Sequence, residues 1–335
     1  MDNLTHTLTA IAISQTGLNR KTRFATLTLI LAGNAPDIDI IAGLKGSIAY
    51  LKYHRGIAHS FVGIIALAFL IWGMVCWLGR RVKPKPGLPL NPRWLLLAAL
   101  LGTGSHLLLD FTNAYGVRPL LPFSGRWYAW DIMFIVDPLL LAVFILGLGL
   151  PWLLRLVSEE MGGRNTRFSS GAIFCLVAMA ALWGVRDFAH RRALRILDSR
   201  DYAGESPQRL GAFPTMANPL TWTGVVETES SFHVVNASAF DVNAAPVEMG
   251  TFQKPASSPA ITAAMRTEGG KVMLDFARFP WAQVNENDQG YQVSLGDLRF
   301  YNPSARSRSF TLEVDLDKNF QTRSENFYFA APPGK

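Results

Sequence analysis

From Ile57 to Leu78 the chain is apolar except for His59 and Ser60, which matches the roughly 20 residues that a helix needs to cross a bilayer. Lipid offers the backbone no hydrogen-bonding partner, so this stretch is helical and sets the class of protein around it. Three further runs qualify: Trp94 to Thr112, Pro138 to Leu156 and Phe168 to Val185. The second of them contains Gly147, Gly149 and Pro151, which favour a kink. Two N-terminal segments are weaker. Residues 3 to 19 are amphipathic and carry His6, and residues 24 to 44 are interrupted by Asn34-Ala35-Pro36-Asp37. Composition agrees: 49% of the 335 residues are hydrophobic and only 17% charged. The N-terminus does not read as a cleavable signal peptide, because Arg20, Lys21 and Arg23 follow the apolar stretch instead of preceding it.

The expected fold class is a mainly α polytopic membrane bundle of about 5–6 membrane segments with a C-terminal soluble β-rich domain. The expected division is 1–185 for the membrane-embedded helical domain, 186–214 for a connector and 215–335 for the β-rich domain. Short alternating runs at Phe232 to Asn236, Lys271 to Phe276 and Arg308 to Asp315 read as strands. Cys76 and Cys175 both fall in apolar segments, so no disulfide framework is implied. No internal repeat and no low-complexity tract is visible.

Basic residues orient the bundle. Alternating along six segments, the loops at 20–23, 79–93 and 155–167 share one side and carry Arg20, Lys21, Arg23, Arg80, Arg81, Lys83, Lys85, Arg93, Arg155, Arg164 and Arg167. That side is expected to be cytoplasmic, which puts the C-terminal domain outside. Arg186, Arg191, Arg192 and Arg195 run against the rule, although long translocated domains are less bound by it.

Under this topology the ionisable residues of the bundle gather at its outer end. Asp37 and Asp39 close one outward segment, His54 and His59 flank the next helix, and His106 and Asp110 lie in the outer half of another. Asp131 and Asp137 precede the segment after that, and His6 lies near the outer end of the first. Ionisable groups are costly in lipid, so their convergence points to a shared site. His106 and Asp110 stand four apart, on one face of a helix. Imidazoles mixed with carboxylates suit zinc, and manganese or iron where carboxylates dominate.

Each residue taken alone has a plainer role. A single intramembrane histidine also serves as an interhelical hydrogen bond. Asp137 before Pro138 is better placed as a helix N-cap than as a ligand. Asp131 beside Trp127 and Trp130 also fits an interfacial aromatic belt. His190 and His233 have no partners in sequence.

As an ordered set, Thr5-His6, Pro36-Asp37-Ile38-Asp39, His54-Arg55-Gly56 through His59-Ser60, and Gly104-Ser105-His106 through Asp110 with Asn113 and Gly116 resemble the YdjM-like membrane-bound metal-dependent hydrolases. The resemblance covers roughly residues 1–185. More distantly the pattern is similar to the zinc-dependent phospholipase C and nuclease group. Ala58 stands where a threonine is common in the family, and the β-rich tail lies outside the shared core. The resemblance implies a bacterial or archaeal inner-membrane protein.

The expected function is metal-assisted hydrolysis of a phosphoester or lipid-like substrate at the outer face. His6, Asp37, Asp39, His54, His59, His106 and Asp110 are the candidate ligands of a divalent metal, most simply zinc. Asp131 is the candidate base, and Arg55 and Arg118 are the candidate phosphate-binding groups, although Arg55 is equally suited to a structural ion pair. Membrane lipid is the expected partner, and protein partners are not legible. Nucleic acid is not expected, since the net charge of +7 has no basic stripe interleaved with aromatics. Two rival classes are a metal-stapled non-catalytic protein and an ion or metal transporter. Transport sites lie near the midplane with inverted repeats, neither of which fits here.

Overall fold

The computed structural model describes residues 1–82, 87–151, 153, 169–216, 218–240, 246–255, 258–301 and 310–329. The chain divides into two compact units, one of residues 1–39 and 55–188, the other of residues 40–54 and 189–335.

The first unit is helical. Helix α1 (Asn3–Gln15) is capped by Asp2, whose side chain accepts from the Thr5 amide. At about 1.5 Å per residue it is too short to cross a bilayer. Helix α2 (Ala25–Asn34) gives way at Ala35 to a 3-10 stretch, Ala35–Lys45, because Pro36 cannot continue the α-helical ladder. Helix α4 (Phe61–Arg81) starts at Ser60, whose hydroxyl accepts from the Gly63 amide. Helix α5 (Pro92–Phe111) starts at Asn91 with proline in its first turn. Helix α6 (Pro138–Phe144) runs into a π-helical turn, Ile145–Gly149, at the glycines where a kink is expected. Helix α7 (Ser169–Asp198) is continuous through residue 185.

Among the described residues, four helical stretches are long and apolar enough to cross a membrane: Ala25–Lys45, Phe61–Arg81, Pro92–Phe111 and Ser169–Asp198. This is fewer than the five to six expected. Of the expected segments, α1 is too short to span, and Pro138 to Leu156 is described as an apolar helix over Pro138–Gly149, with residues 152 and 154–156 outside the described residues. The basic residues Lys83, Lys85, Arg155, Arg164 and Arg167 lie outside the described residues.

Helices α2 and α5 pack closely through glycine. A methyl group at Gly102 would stand 2.7 Å from the Ala32 Cβ and 2.9 Å from the Leu29 carbonyl oxygen. Gly63 is needed for a similar reason, because a methyl there would collide with the Ile57 carbonyl in the 3-10 turn that carries His59. A second core of Leu109, Ile132, Met133, Leu140, Phe144, Cys175 and Met179 joins α5, α6 and α7. At its edge the buried Arg186 donates to Asp137 at 2.6 Å, while the other Asp137 oxygen caps α6 at the Leu140 amide. Both cysteines are free and buried.

The second unit holds two four-stranded antiparallel sheets, each in simple meander order. The first is β1 (Arg209–Pro214), β2 (Thr221–Glu227), β3 (Ser231–Ser238) and β4 (Val247–Gln253). It packs on the last turns of α7 through Ala189, Ala193, Leu197, Trp222, Val226 and Val235. Helices α8 (Pro259–Arg266) and α9 (Glu268–Phe276) precede the second sheet. That sheet is β5 (Pro280–Asn287), β6 (Gly290–Asp297), β7 (Thr311–Asp317) and β8 (Thr322–Tyr328).

The expected strand at 232–236 is present, and of the run Arg308 to Asp315 the part from Thr311 lies in a strand, while Arg308 and Ser309 lie outside the described residues. Lys271 to Phe276 is a correction: it is helical, and its buried positions Gly269, Gly270, Met273 and Phe276 follow the helical period. Thr267 caps this helix at the Gly270 amide. Residues 40–54, which interrupt the membrane half in sequence, belong to this unit. They contribute α3 (Ser47–Tyr53), whose Lys52 meets Glu268 at 2.9 Å and whose Tyr50 meets Phe329 edge to face.

Candidate metal centre

Three of the span ends in the helical unit meet at one place. Asp37 follows α2 and Pro36, His59 ends the 3-10 turn before α4, and His106 and Asp110 occupy the last turns of α5. One ligand atom from each of these four residues lies within 4.8 Å of the others, so together they could hold a metal ion.

The imidazole orientations come from outside the cluster. His106 Nδ1 lies 2.8 Å from the Gly33 carbonyl, a group that can only accept, so this nitrogen carries the proton and Nε2 presents a lone pair. His59 Nδ1 lies 3.0 Å from Asp39 Oδ2, which favours the same tautomer. The two Nε2 atoms therefore face each other at 3.1 Å. Asp110 Oδ2 stands 3.3 and 3.5 Å from them, and Asp37 Oδ1 3.5 and 3.6 Å. Two lone pairs and two carboxylate oxygens converging in a buried place repel one another unless a cation or a proton lies between them.

Asp110 divides its oxygens between two tasks. Oδ1 receives Arg55 Nη2 at 3.0 Å and pairs with the Met1 ammonium. Among the described residues no donor is well aligned on the buried Oδ2, which faces both imidazoles. The donor set fits a divalent metal on this ground. Histidine ligands held from behind by a carbonyl and a carboxylate are the usual outer support of such sites.

His59 shows how strongly the cluster calls for positive charge. Burial lowers its basicity, but contacts with Asp110, Asp37 and Asp39 outweigh that and push it up to about 10. His6 behaves oppositely: burial and the neighbouring His106 hold it down at about 4. It is thus neutral at pH 7 and stacked on His106 at 3.9 Å, with Nε2 3.5 Å from Asp110 Oδ1.

The other candidates are not members of this group of four. Asp39 sits behind His59, and its Oδ2 also accepts from the Arg55 amide at 2.9 Å. His54 ends α3 in the other unit, stacked on Tyr50 at 4.6 Å. Arg55 adopts a left-handed backbone with φ of 53° and is buried. Its guanidinium reaches Asn113 Oδ1 at 2.9 Å, the Gly116 carbonyl at 3.0 Å and Asp110, and it lies over the Tyr115 ring. Arg118 is buried over Trp127 at 4.5 Å. Asp131 is buried with φ of 61° and is not among the four converging residues.

Sequence reasoning missed three participants. The Gly33 carbonyl has no side-chain signal at all. Asn113 appeared only as part of a motif, and its role in holding Arg55 depends on a contact across 58 residues. Arg186 counted as a charge against the topology, whereas it is buried and paired with Asp137.

A helical unit with spans long enough for a bilayer, closed at one end by a histidine and aspartate cluster, defines an integral membrane protein with a candidate metal centre. The chain belongs to the YdjM inner membrane protein family, whose model matches residues 1–193. The C-terminal alpha/beta plait domain named for YfhP matches residues 259–329, which span α8, α9 and the second sheet. The Bacillus subtilis (strain 168) protein YfhP is 30% identical over 146 residues, 41% of this chain and 42% of that protein. The chain thus spans under half the length of that curated relative. No solved structure matches.

Proposed function

We propose that this protein is a metal-dependent hydrolase of the inner membrane that acts on a phosphoester or lipid-like substrate at the outer face. The observation that carries this reading is the convergence of His59 Nε2, His106 Nε2, Asp37 Oδ1 and Asp110 Oδ2. Two imidazoles with two carboxylates suit zinc, with manganese or iron as the other metals compatible with the set. A divalent ion bound there supplies an activated water and Lewis acidity toward the attacked centre.

The chain's own residues set the rest. Asp37 and Asp39 are 16% and 11% exposed, against 0% for His59 and His106, so substrate approaches from the aspartate side. Arg55 takes the role of a positioning residue that holds Asp110, because its guanidinium is already committed to protein oxygens. Arg118 is the remaining candidate for a substrate phosphate and Asp131 for the base. The C-terminal unit lies on the outer side in this reading. The neutralisation of Arg186 by Asp137 removes one of the charges that opposed that orientation.

A second reading follows from burial. His59, His106 and Asp110 are 0 to 1% exposed, as suits a metal that staples helices without turning over substrate. Elemental analysis of detergent-purified protein, beside His59→Ala and His106→Ala, separates these possibilities. Stoichiometric metal lost in both variants, with chelator-sensitive cleavage of phosphoester substrates by the wild type, supports the hydrolase. Metal without turnover leaves the staple, and metal-free wild type overturns both.

A further inference from the structure

The opposite ends of the same helices form a second feature that the metal centre does not use. Here the start of α2, the end of α4 and the start of α5 meet, and two clefts of about 320 and 400 Å³ open side by side. Arg23 and Leu88 line both of them, Asn19 and Thr26 the first, and Arg80 the second. The walls are tied together: the Arg23 amide donates to the Pro89 carbonyl and the Asn91 amide to Thr22 Oγ1.

This end is positively charged without compensation. Arg20, Lys21, Arg23, Arg80, Arg81 and Arg93 gather on segments 16–36 and 79–93 that contain no acidic residue. Among the described residues none of the six has a carboxylate partner. Arg23 Nη2 donates to the Gly79 carbonyl at 2.5 Å, while its buried Nε has no hydrogen-bond partner among the described residues. Phe24 precedes α2 in the left-handed region and offers no side-chain cap to the first amides of that helix. Arg81 stacks over Trp77 at 4.1 Å and Lys21 over Trp94 at 5.4 Å, an arrangement that belongs at headgroup level.

We propose that the Arg23 and Arg80 clefts bind a phosphate group, and that its source is the headgroup of an anionic phospholipid. Guanidinium groups match phosphate geometry, and basic pockets between helix ends retain such headgroups. The first cleft holds one phosphate beside Arg23, and the neighbouring cleft with Arg80 gives room for the rest of the headgroup.

Native mass spectrometry of the full chain, exchanged into vesicles of phosphatidylglycerol or of phosphatidylcholine, tests the proposal. Arg23→Gln keeps an amide donor for Gly79 and loses the charge. Arg80→Gln serves as the second variant, because Arg80 is exposed on the last turn of α4, and melting temperature confirms that both fold. Preferential retention of phosphatidylglycerol by the wild type, weakened about fivefold for each charge removed, is the expected result. Displacement of the lipid by inorganic phosphate would show the free ion to be the bound species, and no displacement the headgroup. Equal retention of the two lipids, or phosphatidylglycerol retention unchanged in both variants, overturns the proposal.

Discussion

His59 and His106 present their Nε2 atoms to each other across 3.1 Å, although 47 residues separate them in the chain. With Nδ1 of His106 held by Gly33 and Nδ1 of His59 beside Asp39, the facing lone pairs have a use only if something positive lies between them. Replacing either imidazole by alanine should lower metal affinity by more than the roughly 100-fold that losing an outer partner costs. Competition against a chromophoric chelator measures it, and stoichiometric metal in either variant would remove that residue from the ligand set.

Asp39 stands behind His59 and serves as the test of outer support. Asp39→Asn should weaken metal binding by about 10- to 100-fold while leaving the stoichiometry intact. The same titration decides: an unchanged affinity would reduce the contact to packing.

Arg186 and Asp137 form a pair in which the side chains are 1% and 0% exposed. Arg186→Met leaves the Asp137 carboxylate buried without its cation and should destabilise the protein by about 3–5 kcal/mol. The double variant with Asp137→Asn should recover part of that loss. Unfolding in mild detergent measures both, and equal loss in single and double variants would argue against coupling.

Gly102 sets the distance between α2 and α5, and with it the reach of His106 to the Gly33 carbonyl. Gly102→Val should cost about 1–3 kcal/mol of stability by overpacking and should weaken metal binding in parallel. Stability lost with metal affinity intact would separate the helix contact from the site.

Glu205 tests the C-terminal unit. Hydrogen bonds from the Ser230 amide and the Thr228 and Ser230 side chains pull its carboxyl down to about 2 from an ordinary 4.5. A lowered carboxylate contributes stability above its unfolded value that is lost as pH falls through the folded one, between about 4.5 and 2. The protection factors of the amides at the 228–231 turn, taken relative to intrinsic exchange at each pH, should therefore fall as pH is lowered across that window in the wild type and stay nearly constant in Glu205→Gln.

The apolar runs of α4 and α5, the break at Pro36 and the four-residue spacing of His106 and Asp110 are local properties, and helix period with backbone satisfaction in lipid makes them legible in the residues alone. So is the set of ligand types at the span ends, because ionisable groups are scarce enough there to stand out. Which atoms meet was decided by tertiary packing. Arg55 turned to Asp110 and not to Asp37, Asp39 went behind His59, and Arg186 found Asp137 across 49 residues. Residues 40–54 joined the C-terminal unit, and Lys271 to Phe276 became helix because burial at every third or fourth position prevailed over an alternating pattern. These outcomes turn on close approaches between distant segments, such as that of Gly102 to Ala32. The period of a single segment carries no information about its neighbour's distance or about which side-chain atom that neighbour will present.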